Sequence, residues 1–259
     1  MSESVKNKVL LLSGTSEGPL LARALTQAGF QVRATVTRPE ARNNLFGRLK
    51  NIKVEVRGFT EITLADFLKA GNADIVLDAT HPFAVRITQI AHDVCAKLGV
   101  PYVRYERPDW QPPEGTLFAD SFAEAAARLP GLGERILLTI GAKQLKHFSD
   151  LHQQVTLFAR ILPSPISLAQ AEAAGFTLDR LVRQRPPFSQ AANQALFQKL
   201  GVQVLVTKAS GSAGGVVEKV LAAQQLGMKV LMIRRPSLAG LSAYSTFDQA
   251  VQACLAYGL

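Results

Sequence analysis

The residues best suited to chemistry are Thr80 and His81, in the run DIVLDATHPFA from Asp74 to Ala84. A hydroxyl beside an imidazole can orient a substrate and move a proton, since the imidazole titrates near neutrality. The pair follows Ile75, Val76 and Leu77, whose apolar, largely β-branched character is that of a buried parallel strand. Pro82 suits the first position of a following helix, where its missing N–H costs nothing. Ligands of open α/β sheets gather at carboxyl strand ends, so the junction predicts a site. The plain alternative is that Thr80 only caps the helix and His81 only fills a loop.

A second candidate follows the first apolar run, at Ser13, Gly14, Thr15, Ser16, Glu17 and Gly18. Small residues there let amides and hydroxyls approach phosphate oxygens at a helix start. The run is not GxGxxG and has no GK[ST] ending, which excludes a P-loop. A tight turn without a ligand would look the same. After the second strand, where an NAD-binding domain usually carries an acidic residue for the ribose 2′-hydroxyl, this chain has Thr37 and Arg38. Arginine favours a 2′-phosphate, hence NADP, although a surface arginine before Pro39 is ordinary in isolation.

Cations recur in the second half: Lys143 after Gly141, then Arg160, then Lys208 ahead of Ser210, Gly211, Gly214 and Gly215, then Arg234 and Arg235. Each alone reads as a solvated rim. Together they occupy four successive strand ends and suit a ligand with several carboxylates. Other chemistries lose support by absence. No tyrosine precedes a lysine by four residues, and HExxH and CxxC are missing, so neither metal-dependent hydrolysis nor a metal site is expected.

The elements that must position these residues are legible as alternation. Strands are predicted at 8–12, 31–36, 52–56, 75–77 and 102–105, with helices at 19–28 and 83–98 closed by Gly29 and Gly99. The stretch PDWQPPEG, 108–115, reads as a linker. A second series then has strands at 135–140, 155–161, 203–207 and 229–233, and helices at 122–129, 166–174, 189–200 and 215–226. The fold class expected is α/β: two Rossmann-like domains, 1–107 and 116–259, with mostly parallel sheets, flanking helices and a ligand cleft between them.

With 259 residues, 47% of them hydrophobic, the chain can bury a large core or two modest ones. The net charge of +9 implies an acidic partner. The basic residues are scattered, with no basic tail, which argues against nucleic acid. Cys95 and Cys254 sit in helical contexts without metal-ligand spacing and read as reduced core residues. With no membrane-length apolar run and a start that passes directly into a strand, a soluble cytoplasmic protein without a membrane partner is expected.

Taken together, the residues resemble the precorrin-6A reductases of cobalamin biosynthesis over nearly the whole chain. The resemblance rests on GTSEG at Gly14 to Gly18, DATHPFA at Asp78 to Ala84 and RYERPDW at Arg104 to Trp110. It continues with RILP at Arg160 to Pro163, PFS with Asn193, VTKASG at Val206 to Gly211, and RRP at Arg234 to Pro236. It implies reduction of one double bond of the macrocycle precorrin-6A to precorrin-6B by a nicotinamide coenzyme, here NADPH. It also implies a polycarboxylate tetrapyrrole as the small-molecule partner, with neighbouring pathway enzymes as further partners.

On this reading the turn Gly14, Thr15, Ser16 and Glu17, with Thr37 and Arg38, holds the coenzyme, and Thr80, His81 and Pro82 border the nicotinamide. Lys143, Arg160, Lys208, Ser210, Gly211 and Arg235 anchor carboxylates, with Phe188 and Ser189 against the macrocycle. The proton comes from His81 or an ordered water. Where relatives commonly read QGPFS, this chain has Arg185, Pro186, Pro187, Phe188 and Ser189, which removes a glycine hinge. Two other readings stay open: an NADP-dependent reductase or epimerase of another polyanion, and a non-catalytic nucleotide-binding or nucleic-acid-binding module suggested by the charge. The sequence does not separate a cobalt-free from a cobalt-bearing substrate.

Overall fold

The computed structural model describes residues 7–49, 52–211, 214–238 and 240–258. The polar start 1–6, and positions 212 and 213 of the glycine-rich turn, lie outside the described residues. Two units divide the chain, the first running to Pro108 and resuming at Ser237, the second spanning Asp109–Pro236.

In the first unit, β1 (Lys8–Leu12), β2 (Gln31–Val36), β3 (Lys53–Val56), β4 (Ile75–Asp78) and β5 (Tyr102–Arg104) form one sheet in the order β3-β2-β1-β4-β5. Every pairing is parallel. Alternate residues of β1 serve two cores, as the strand period of two requires. Val9 and Leu11 pack with Leu21 and Leu25 of α1 (Gly18–Gln27). Leu10 and Leu12 pack with Leu64 and Phe67 of α3 (Glu61–Lys69) and Val94 and Cys95 of α4 (Val85–Leu98). A short α2 (Pro39–Ala41) follows β2. Gly29 and Gly99 take the positive φ predicted for helix-closing glycines.

The second unit holds β6 (Leu117–Ala119), β7 (Arg135–Leu138), β8 (Thr156–Ile161), β9 (Leu181–Arg183), β10 (Val204–Lys208) and β11 (Lys229–Ile233). All are parallel, in the order β6-β11-β10-β7-β8-β9. The run β9-β8-β7-β10-β11 repeats the winding of the first sheet, and β6 adds an edge. Its helices are α5 (Phe122–Arg128), α6 (Pro165–Ala173), α7 (Gln190–Leu200) and α8 (Val216–Gln225), with a 3₁₀ stretch over Ala142–Gln153.

Three expectations are corrected. The second unit does not run to residue 259, because α9 (Phe247–Tyr257) packs Ala250, Val251 and Cys254 into the core shared by α1, β1 and β4. Helices α3 and α4 cover the other face of that sheet, and α9 covers the apolar surface that α1 leaves bare. The helix after Thr80 begins at Val85, so Pro82 is in a turn and no side chain caps α4. The elements α3, β6, β9, α9 and the 3₁₀ stretch had no counterpart in the sequence reading. Among the described residues, no helix is long and apolar enough to cross a membrane.

Candidate functional site

In the first unit β1 and β4 are neighbours whose chains leave toward different strands, the switch point at which α/β sheets open a crevice. The turn after β1 and the end of β4 meet there. The Ala79 amide donates to the Leu12 carbonyl at 2.9 Å, and the Thr15 hydroxyl donates to the Ala79 carbonyl at 3.4 Å. Gly14 and Ser16 are exposed, whereas Thr15 and Glu17 are buried.

The burial of Glu17 has a specific cause. Arg107 grips it twice, Nε at 2.7 Å from Oε1 and an Nη2 hydrogen bond of 2.9 Å to Oε2, and the Ser16 hydroxyl adds a third contact at 2.9 Å. A buried carboxylate so engaged fixes the turn. Gly18 is required beside it, since a Cβ there would lie 1.8 Å from Ser13 Oγ. Among the described residues, no side chain caps α1, and nothing lies within 4 Å of where a Cβ of Gly14 would stand. An exposed glycine before an uncapped helix start fits the phosphates of a dinucleotide. At the adjoining end of β2, Thr37 and Arg38 are both exposed, and Arg38 forms no ion pair among the described residues.

The β4 end is held by charge. Asp78 is fully buried and accepts from the Tyr102 hydroxyl at 2.9 Å and the Thr80 amide at 2.9 Å, with Arg104 Nη1 also 2.9 Å away. Arg104 continues to Thr80 Oγ1 at 3.4 Å and Glu106 at 3.0 Å. Burial, reinforced by the Asp78 charge, pushes the Tyr102 phenol well above its usual pKa, so it serves as a permanent donor. Thr80 also meets Thr88 at 3.3 Å. His81 Nδ1 accepts from the Phe83 amide at 3.1 Å, which leaves the proton of a neutral ring on Nε2. Asp78, Arg104 and Arg107 were not singled out as site residues from sequence, although Arg104 and Arg107 lie inside RYERPDW.

In the second unit the four cationic strand ends belong to adjacent strands, β11, β10, β7 and β8, but they differ in kind. Arg235 Nε pairs with Asp109 at 2.9 Å and donates to the Ala209 carbonyl at 2.9 Å; Arg234 pairs with Asp120 at 2.9 Å. Lys143 is exposed. Arg160 is buried, donates to Asn193 Oδ1 at 2.8 Å, and lies 4.0 Å from the Phe188 ring centroid. Burial alone lowers its guanidinium to about 10 and Lys208 to about 8. Ser210 and Gly211 are buried beside Lys208. Ser189 caps α7, accepting from the Ala192 amide at 3.1 Å, and its carbonyl holds Asn193 at 2.9 Å.

Comparison with known proteins extends the reading. The family model described as Precorrin-6x reductase CbiJ/CobK matches residues 8–255. A cobalt-precorrin-6A reductase of Synechocystis sp. is 38% identical over 231 residues, 88% of each chain. A precorrin-6A reductase of Rhodococcus erythropolis is 38% identical over 239 residues, covering 89% of this chain and 90% of its own. The solved CobK precorrin-6A reductase superposes with a TM-score of 0.79 at 27% identity, covering 97% of both chains. The chain belongs to the precorrin-6x reductase family.

Proposed function

We propose that this protein catalyses NADPH-dependent reduction of one double bond of precorrin-6A, giving precorrin-6B in cobalamin biosynthesis, in the cytoplasm. The observation that carries the substrate class is the buried Arg160, held by the neutral side chain of Asn193, in a chain of this family. Buried cations of this kind are costly unless an anion completes them, and the macrocycle carries acetate and propionate groups.

The nicotinamide supplies a hydride when bound. The chain's residues do the rest. Gly14 and Ser16 face the pyrophosphate at the α1 start, while Thr15 and Glu17 hold the turn from beneath. Thr37 and Arg38 take the ribose 2′-phosphate. Thr80, His81 and Pro82 border the reacting ring, and His81 Nε2 delivers the proton that the reduced macrocycle needs. Arg160, Lys208, Ser210 and Gly211 fix the substrate carboxylates, with Lys143 and Arg235 on the rim and Phe188 and Ser189 against the macrocycle. Orientation of this kind can supply most of the acceleration.

The test is to follow NADPH oxidation by absorbance with cobalt-free and cobalt-loaded precorrin-6A in parallel. Macrocycle-dependent oxidation with a product two hydrogens heavier is expected from one of the two. No oxidation with either overturns the reading.

A further inference from the structure

Asn193 makes two side-chain hydrogen bonds in the interior of the second unit, and they join a buried cation to the residues ahead of α7. Its Oδ1 accepts from Arg160 Nη1 at 2.8 Å, and its Nδ2 donates to the Ser189 carbonyl at 2.9 Å. Asn193 is 1% exposed and Arg160 is 8% exposed. The ring centroid of Phe188, the residue before Ser189, lies 4.0 Å from the guanidinium carbon of Arg160.

Strand and helix periods explain the meeting. Phe158 and Arg160 share one face of β8, and Asn193 and Phe197 lie one turn apart on α7. Phe158 and Phe197 belong to the same apolar core. Arg160 and Asn193 continue that packing one step nearer the carboxyl end of the sheet.

The choice of partner carries the inference. A guanidinium only donates, so burial demands an acceptor beside it. A carboxylate would supply one and also cancel the charge, as Asp78 does for Arg104 in the first unit. An amide satisfies the hydrogen bond and leaves the charge in place. Arg160 forms no ion pair among the described residues, and Lys219 of α8, also 8% exposed and repelled by Arg160, adds charge of the same sign. A buried charge without a counter-charge is unfavourable until an anion reaches it. The amide cannot turn over, because a flip would set its NH₂ against the guanidinium donors and its oxygen against the Ser189 carbonyl. Its orientation therefore fixes that of Arg160.

We propose that Asn193 is a positioning residue that aims the Arg160 guanidinium and, being neutral, leaves its charge available to an anionic group of the ligand, with Phe188 bracing the guanidinium face. That this group is a carboxylate of the macrocycle rests on the reductase reading; the neutral restraint on Arg160 does not.

Two variants separate charge from packing. Asn193→Asp keeps the size and the acceptor but sets a carboxylate against Arg160, whereas Asn193→Ala removes both hydrogen bonds and adds no charge. Both leave the Ser189 cap on the Ala192 amide intact, so both should fold. Uroporphyrin III, an eight-carboxylate tetrapyrrole, is the probe, and its fluorescence is titrated with the full-length protein. Asn193→Asp should weaken binding about 10-fold or more, as for loss of a charge-assisted contact, and Asn193→Ala about 3-fold, as for loss of a neutral one. A residue that only secures the start of α7 gives the reverse order, because alanine loses both bonds and aspartate loses one. Equal losses, a reversed order or unchanged affinity in Asn193→Asp overturn the proposal, as does an absence of binding by the wild type. The NADPH oxidation assay judges the reductase reading separately, because the order is read from binding alone.

Discussion

Arg104 Nη1 lies 2.9 Å from Asp78 Oδ2, and the two side chains are 3% and 0% exposed. Neither charge tolerates the loss of its partner. The pair also sits beneath Thr80, through the Thr80 amide on Asp78 and the Thr80 hydroxyl on Arg104, so it sets the position of the β4 end. Arg104→Met should cost about 3–5 kcal/mol in urea unfolding, because it strands a buried carboxylate. Adding Asp78→Leu to it should recover part of the loss, since both charges are then gone. A double variant that loses the full sum would show that the pair is not coupled.

How much of this was readable in the sequence depended on local pattern. The nine predicted strands all exist because runs such as Lys8–Leu12 and Lys229–Ile233 are apolar enough to declare themselves. The missed strands, Leu117–Ala119 and Leu181–Arg183, are three-residue edges with too little apolar length to register. The stretch Ala142–Gln153 did carry a signal. Ala142, Leu145, Phe148 and Leu151 are buried at a spacing of three, the 3₁₀ period, and not at 3.6.

Site residues divide in the same way. Thr80, His81 and the Gly14 turn announced themselves by type and by their place after a strand. Asp78 and Arg104 did not, because a charge inside a strand reveals its role only when the partner strand is paired beside it. Lys219 resembled any helix-surface lysine, although its helical spacing from Val216 and Ala223 places it on the apolar face of α8, a signal that local periodicity carries by itself. The return of α9 to the first unit is a matter of tertiary packing that no local pattern encodes.

Arg38 stands exposed at the end of β2 beside Thr37. If it meets the 2′-phosphate, its loss removes a charge-assisted contact worth about 1.5–3 kcal/mol, which is about 10-fold to 100-fold in binding. Arg38→Ala should therefore raise the KM for NADPH by that factor and leave the KM for NADH nearly unchanged. Steady-state kinetics with both coenzymes decide the matter, and equal losses with each would remove the phosphate from the argument.

His81 has its Nδ1 occupied by the Phe83 amide, so proton delivery falls to Nε2. His81→Asn keeps an acceptor near that amide and deletes Nε2. The expected result is a fall in kcat of about 10²-fold or more with little change in either KM, as for loss of a general acid. A variant with wild-type kcat would transfer the proton to a water.

The buried lysines also set how the ligand-free protein responds to pH. Lys219 and Lys208 ordinarily titrate at 10.5, and burial lowers them to about 7 and about 8. Between pH 7 and 10.5 the unfolded chain therefore holds more protons than the folded one, and stability rises with pH across that window. The contribution of one such group approaches about 1.4 kcal/mol per pH unit. The opposing shift comes from Cys95 and Cys254, whose thiols burial pushes from 9.0 up to about 12, so they favour the folded state at lower pH and work against it only above pH 9. Urea midpoints should accordingly climb from pH 7 to 8.5, and Lys219→Met should start higher at pH 7 and climb less steeply. A wild-type midpoint that stays level or falls over that range would mean that both lysines remain charged in the folded protein.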